Sequence, residues 1–219
     1  MQAKISPDRI GAVILAGGRG ARMGGVDKGL QSFRGQPLFA HALTRLRGQT
    51  LGAPGLIAIN ANRNLALYEE HGLPVWPDTL QDYAGPLAGF LAALDHCAQT
   101  PKQPEYLLTV PCDSPLFPLD LLERLAGALA DGQADIAMAS APEVQDDGSI
   151  RVRAQPVFCL MRTSLRDSLQ NFIAAGGRKI DTWTRQQRQV LVAFDGPQDD
   201  PRAFLNTNTL SELQELEQE

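Results

Sequence analysis

The sequence predicts an α/β fold: three layers, with a mostly parallel, mixed central sheet covered by helices on both faces. Three observations predict it. Short apolar, β-branched runs alternate with helical patterns through most of the chain. The first of these runs, Ala12 to Leu15, passes directly into a loop rich in glycine and cations. The chain has 219 residues, which suits one α/β domain over 1–219 and is long enough to bury a substantial core.

The elements follow in order. After the glycine loop, Leu30–Phe33 and the Arg34-Gly35 turn read as a short hairpin edge. Pro37 sits well at the first turn of a helix running to about Gln49, whose buried stripe is Leu38, Phe39, Ala42, Leu43 and Leu46. Leu56–Ile59 reads as a strand, and Asn60-Ala61-Asn62-Arg63 follow at its C-terminal end, the edge where open α/β sheets bind ligands. Asn62 suits the cap of a helix ending near Gly72. Val75-Trp76 is a short strand, and Gly85-Pro86 opens a helix to about Cys97. Tyr106–Val110 is a compact strand ending in Pro111-Cys112-Asp113-Ser114-Pro115. Pro118 starts a helix with Leu119, Leu122, Leu125, Ala126 and Leu129 on one face. Ile136–Ala139 is a strand, and Val152 to Leu160 is strand-rich but interrupted at Gln155-Pro156. The β-rich stretch 135–160 breaks the alternation and reads as an inserted hairpin that helps hold a ligand. Thr163 to Ala175 is helical and stops at Gly176-Gly177. Val190–Phe194 is a final strand, and Thr209 and Glu212 have capping-box spacing before the last helix.

The loop after the first strand carries the chemistry. Six of the residues from Ala16 to Leu30 are glycine, and Arg19, Arg22 and Lys28 lie among them. Glycines let backbone N–H groups converge on an anion, and the cations supply full charge against phosphate. Two common phosphate motifs fail here. A G-x-G-x-x-G run from Gly18 would need glycine where Met23 stands. A P-loop from Gly20 would need lysine where Val26 stands. Asp113 directly follows an apolar strand. It reads either as a magnesium ligand, with a bound triphosphate completing the shell, or as a turn-forming aspartate.

Composition excludes several classes. The net charge of −5 argues against general nucleic-acid binding. Its distribution is uneven. Residues 1–50 hold eight Lys/Arg against two Asp, a net +6, while the remainder nets −11, so the positive excess surrounds the glycine loop. No apolar run approaches membrane-spanning length, and the N-terminus lacks an apolar signal core, so a cytoplasmic protein is expected. Cys97, Cys112 and Cys159 are too scattered for a disulfide framework or a zinc site, and read as small core residues. His41, His71 and His96 have no paired nucleophile or carboxylate pattern, so covalent catalysis has no candidate.

The pattern L-A-G-G-x-x-x-R-M-G-x-x-x-K, with G-G-V-D-K-G-L closing it, resembles the nucleotidyltransferases and, among them, the molybdenum cofactor guanylyltransferase family. The resemblance covers most of the chain and is thinnest between 120 and 200. It implies a Rossmann-like, nucleotide-diphospho-sugar transferase-like domain. It also implies transfer of GMP from GTP to the terminal phosphate of molybdenum-molybdopterin, forming molybdopterin guanine dinucleotide and releasing pyrophosphate. Mg²⁺ is the implied cofactor, held by Asp113. Leu15, Ala16, Gly17, Gly18, Lys28, Asn60, Asp78 and Asp113 are the implied GTP-binding positions, with Arg22, Lys28 and Asp113 in the catalytic role. Read without the family, Asn60 also suits a turn, Asp78 a cap and Lys28 a solvated surface. L-A-G-G, where cytidylyl-transferring relatives tend to show L-A-A-G, favours guanine. Asn206-Thr207-Asn208 stands where many sugar nucleotidyltransferases carry a D-x-D-like segment, and an amide is a poor metal ligand. Asn206 and Asn208 suit either the pterin edge or the lead-in to the last helix. Arg178, with Lys179, suits either an acceptor phosphate or a solvated helix start. The partners implied are GTP, molybdenum-molybdopterin, molybdenum-insertion proteins and molybdoenzyme chaperones, with no nucleic acid and no membrane. A cytidylyl or sugar-phosphate nucleotidyltransferase and a non-catalytic pterin or nucleotide carrier are the competing readings.

Overall fold

The computed structural model describes residues 4–18, 26–80, 85–131, 133–145, 147–207 and 209–218. A seven-stranded sheet forms the centre. In chain order its strands are β1 (Ile10–Leu15), β4 (Leu56–Asn60), β5 (Val75–Trp76), β6 (Tyr106–Pro111), β7 (Ile136–Val144), β8 (Ile150–Arg162) and β9 (Gln189–Ala193), arranged as β5-β4-β1-β6-β8-β7-β9. The pairs β1–β4, β1–β6, β4–β5 and β7–β9 are parallel, and β8 alone runs against its two neighbours. This is the mixed, mostly parallel sheet that the alternating pattern predicts. A separate hairpin, β2 (Ser32–Phe33) and β3 (Gln36–Pro37), turns at Arg34-Gly35.

Burial on both faces explains why β1 is continuously apolar. Ile10, Ala12 and Ile14 point into one core with α1 (Leu38–Arg47) and α4 (Leu121–Asp131). Val13 points into the other, with α3 (Pro86–Gln99), α5 (Arg166–Ala174) and Trp183 of α6 (Ile180–Thr184). The period of two along the strand thus divides the molecule into its three layers. The short α2 (Leu65–Glu69) brings fully buried Tyr68 into the first core. The last helix, α7 (Leu210–Gln218), lays Leu213 and Leu216 on Phe33 and Leu38 of the hairpin and α1.

Three local expectations are corrected. Asn62 does not cap α2: the N-cap position is Asn64, and the Asn62 side chain turns to Gly17 and Asp78 instead. The fourth helix starts at Leu121, and Leu119 is exposed rather than on the buried face, because Leu119 stays in the preceding turn and accepts the Thr50 N–H. β8 is not interrupted at Gln155-Pro156. It runs through, with four residues, Gln155–Phe158, set opposite Ala139 where the register shifts. That excess of chain is how a strand accommodates proline. Helix α6 begins at Ile180 directly after Arg178-Lys179, in line with the helix-start reading of that pair, and is too short to show a period. Other features stand as expected. Gly176 (φ 87°) ends α5, with Gly176 N–H donating to Ile173 and Gly177 N–H to Phe172. The Glu212 N–H donates to Thr209 Oγ1 at 3.1 Å.

The three histidines are engaged in packing. His41 bonds the Phe33 carbonyl at 2.7 Å, His71 meets the Phe39 ring, and His96 stacks on Trp76. All three cysteines are free and buried. Burial pushes the Cys97 and Cys159 thiols up to about 12 and lifts Cys112 well above the usual thiol value. A thiol that is both protonated and inaccessible is inert. Ellman's reagent at pH 8 should therefore titrate no thiol in the native protein within minutes and three after denaturation in guanidinium.

Candidate functional site

The cleft lies at the C-terminal edge of the parallel strands. The chain leaves β1 toward β4 on one side, and leaves β6 toward β8 on the other. The crevice between β1 and β6 is therefore the switch point of the sheet, where ligands of open α/β folds bind. Register aligns the strand ends there: Leu15 pairs with Asn60 on one side and with Pro111 on the other. The cavity has a volume of about 940 Å³ and is lined by residues that include Leu15, Gly17, Gly18, Asn60, Asp78 and Asp113.

One end of the cleft is an amide–carboxylate cluster. Asn60, the last residue of β4, is buried and donates through Nδ2 to the Trp76 carbonyl and to Asp78 Oδ1, both at 2.9 Å. Asn62 donates to Asp78 Oδ2 at 2.8 Å and to the Gly17 carbonyl at 3.2 Å, while its Oδ1 accepts the Asp78 N–H at 2.8 Å. Asp78 is thus held by three bonds with its carboxylate at the cavity wall. The remaining lone pairs of such a carboxylate can accept a base edge that offers two adjacent N–H groups. Two glycines make room for this cluster. A Cβ on Gly17 would lie 2.8 Å from Asn62 Nδ2 and 2.9 Å from Asn60 Oδ1. A Cβ on Gly89 of α3 would overlap Asn60 Oδ1 and lie 2.8 Å from Leu15 Cδ2. Gly18 has open space around it, so its glycine is not required by packing.

The other end is an ion pair. Lys28 Nζ stands 3.1 Å from Asp113 Oδ2, with the two side chains 20% and 18% exposed. Asp113 follows β6 by two residues, and its carbonyl accepts from Thr207 N–H at 2.9 Å and Thr207 Oγ1 at 3.1 Å. Next to it Ser114 Oγ donates to Asn206 Oδ1 at 2.5 Å. The 206–207 segment therefore straps the Asp113 loop in place, which is the structural reason for Asn206 at that position. Arg63 reaches back to the Gly18 carbonyl at 3.3 Å. Pro86 and Gly85 place the N-terminus of α3 on the wall, adding the positive end of a helix dipole.

The structure brings together Leu15, Gly17, Gly18, Asn60, Asp78, Asp113 and Asn206 on the cavity wall, with Lys28 against Asp113. Ala16 is buried behind the wall, its N–H donating to the Asn60 carbonyl. Arg22 and Asn208 lie outside the described residues. Arg178 sits in the turn between α5 and α6 and is not among the residues that line the cavity. Sequence reasoning set Asn62 at the ligand edge of the sheet but gave its side chain to a helix cap, and it missed Leu80; it expected the 135–160 stretch at the ligand but did not single out Gln155–Phe158 within it. The signal for the last was Pro156 inside a strand pattern, which marks a bulge. Among the described residues no group of three His, Cys, Asp or Glu gathers as a metal cage. Asp113 offers one hard oxygen ligand set beside a cavity that can take phosphates. This donor set fits Mg²⁺, which takes one or two carboxylates plus substrate oxygens.

A sheet covered on both faces, with a glycine-rich exit from its central strand and a cleft at its switch point, is the architecture of nucleotide-binding α/β proteins. The chain matches the MobA-like NTP transferase domain over residues 12–193, and it belongs to that family. It is 62% identical over 209 residues to a molybdenum cofactor guanylyltransferase of Acidovorax ebreus, covering 95% of each chain. It is 60% identical to one of Albidiferax ferrireducens, again covering 95% of each. Among solved structures, the fold is similar to molybdopterin-guanine dinucleotide biosynthesis protein A of Archaeoglobus fulgidus (TM-score 0.70, 20% identity, 95% and 97% of the two chains). It is also similar to 4-diphosphocytidyl-2C-methyl-D-erythritol synthase of Anaerococcus prevotii (TM-score 0.66, 11% identity, 95% and 94%).

The packing around Gly89 yields a test. Gly89→Ala should displace the Asn60 amide and cost about 1–3 kcal/mol of stability through overpacking. Its melting temperature should fall while Gly18→Ala, in open space, leaves the melt unchanged.

Proposed function

We propose that this chain transfers GMP from GTP to the terminal phosphate of molybdenum-molybdopterin, releasing pyrophosphate and forming molybdopterin guanine dinucleotide. The observation that carries the reading is the two-ended cleft. A clamped carboxylate suited to guanine stands at one end, and a lysine–aspartate pair suited to a triphosphate at the other, within one cavity of about 940 Å³. The names of the relatives at 60% identity and above support the same activity.

In this reading Asp78 accepts the guanine N1–H and 2-amino group, the pair of donors that distinguishes guanine from adenine and cytosine. The Gly17-Gly18 backbone lies along the phosphates. Lys28 leaves Asp113 for the triphosphate and offsets charge that builds on the departing pyrophosphate. Arg22, on the glycine loop, adds a second cation. Asp113 holds Mg²⁺, which when bound neutralises phosphate oxygens. The nucleophile is a phosphate monoester, already largely dianionic near neutral pH, so the reaction needs no general base. The protein's tasks are alignment and charge neutralisation. Asn206, with Gln155–Phe158, lines the side left for the pterin. Asn208 is assigned there on the family resemblance alone, and Arg178 is not among the residues that line the cavity. The setting is the cytoplasm, in keeping with three reduced thiols and with no described helix long and apolar enough to cross a membrane. Molybdenum-insertion proteins that deliver the acceptor, and molybdoenzyme chaperones that collect the product, are the protein partners this activity calls for.

Pyrophosphate release with molybdenum-molybdopterin and each of four nucleoside triphosphates tests the reading. GTP alone should support turnover. CTP-supported turnover would make it a cytidylyltransferase, and tight GTP binding without pyrophosphate would make it a carrier. Asp113→Asn should lower kcat by about 10²-fold or more with little change in melting temperature, as expected for loss of transition-state charge stabilisation. Lys28→Ala should lower kcat/KM for GTP by a similar order. Wild-type kinetics in both variants would remove the ion pair from the site.

A further inference from the structure

The exit of the glycine loop carries a buried carboxylate that the reaction does not use. Asp27 immediately precedes Lys28 and is 8% exposed. It stands at the N-cap of the 3₁₀ turn Lys28–Leu30, a position where Asp ordinarily caps its own turn, yet its side chain makes no cap bond. Both oxygens are instead taken by the α2 element. Tyr68 donates its hydroxyl to Oδ1 at 2.6 Å, and Asn64 donates Nδ2 to Oδ2 at 3.1 Å. Asn64 reaches it from a left-handed backbone conformation (φ 52°). The Asp27 carbonyl accepts from Leu30 N–H and from Gln31 Nε2, which closes the turn that carries Lys28. Gly29 lies directly over the phenol: a Cβ there would overlap the Tyr68 hydroxyl oxygen. Burial, and then the Asp27 hydrogen bond, push the Tyr68 hydroxyl pKa far up, so it is always the donor.

A carboxylate withdrawn from water is retained only where its partners repay the desolvation, and an apolar contact would stabilise the core as well. What the carboxylate adds is direction. It fixes the chain one residue before Lys28 to the N-cap and last turn of α2. The same five-residue stretch, 60–64, clamps Asp78 through Asn60 and Asn62, the Gly18 carbonyl through Arg63, and Asp27 through Asn64. We propose that Tyr68, Asn64 and Asp27 form a latch that sets the position of Lys28 against Asp113, so that Tyr68 and Asp27 are positioning residues acting on the triphosphate through Lys28. This rests on the nucleotidyl-transfer reading above. It makes the distance between the base end and the phosphate end of the cleft a property of one short segment of chain.

A double-mutant cycle tests the latch, read as kcat/KM for GTP-dependent pyrophosphate release and as direct binding of N-methylanthraniloyl-GTP. Tyr68→Phe keeps the ring and removes only the hydroxyl. It should lower kcat/KM by about tenfold in the wild-type background and by less than about twofold in the Lys28→Ala background, because the lysine it places is gone. Equal losses in both backgrounds, or none in the first, overturn the latch. A variant pair covers failure of Tyr68→Phe to fold. Asn64→Asp sets two carboxylates against each other and should weaken nucleotide binding, and adding Asp27→Asn should recover it to within a few-fold. Absence of rescue in a folded double variant overturns the proposal. Lys28→Ala with wild-type kinetics refutes the triphosphate reading and the latch together. An impaired Lys28→Ala, with Tyr68→Phe multiplying onto it, refutes the latch alone.

Discussion

Parallel pairing on both sides of β1 is the constraint from which the rest follows. It sets Leu15 level with Asn60 and Pro111, so three chain exits open along one edge within the spacing of adjacent strands. Residues distant in sequence, Gly17, Asn60 and Asp113, thereby face one cavity without a long loop to carry them. Both faces of β1 are buried under helices, which holds that edge rigid. A cleft built on strand ends keeps its geometry better than one built on loops alone.

Charge is then distributed along the cleft in a fixed order. The Asp78 carboxylate is restrained by Asn60 and Asn62 at one end, and the Asp113 carboxylate is covered by Lys28 at the other. In a protein of net charge −5, the cations concentrated around the first strand oppose the general repulsion an anionic nucleotide would meet. The Lys28–Asp113 pair also answers a local problem: without a bound nucleotide, a lysine and an aspartate only partly exposed to water neutralise each other.

Much of this was legible in the sequence, for physical reasons. Alternating strand and helix periods gave the three layers, and the glycine-rich exit of β1 marked the cleft, with Gly17 and Gly18 on its wall. Asp113 stood out because an acid directly after a buried strand must emerge at the sheet edge. Other features were hidden because they depend on partners far away in the chain. Asn62 looked like a helix cap, since its bonds to Gly17 and Asp78 span 45 and 16 residues. Asp78 had no local signature at all, and only the family resemblance pointed to it. Gln155-Pro156 read as a break in the strand, whereas the extra residues opposite Ala139 bow the strand onto the cleft wall. Asn206 was divided between ligand and turn, and its bond to Ser114 shows a strap across the Asp113 loop. α6 was legible only as a helix start at Arg178-Lys179, because five residues cannot display a helical period.

The account stands on the orientation of a nucleotide in this cleft, and a crystal structure with GTP bound reads that orientation directly. The guanine should lie on Asp78 beside Asn60, with the phosphates running past Gly17 and Gly18 to Lys28 and Asp113. A triphosphate seated elsewhere on the molecule, or reversed with its base against Asp113, would contradict it.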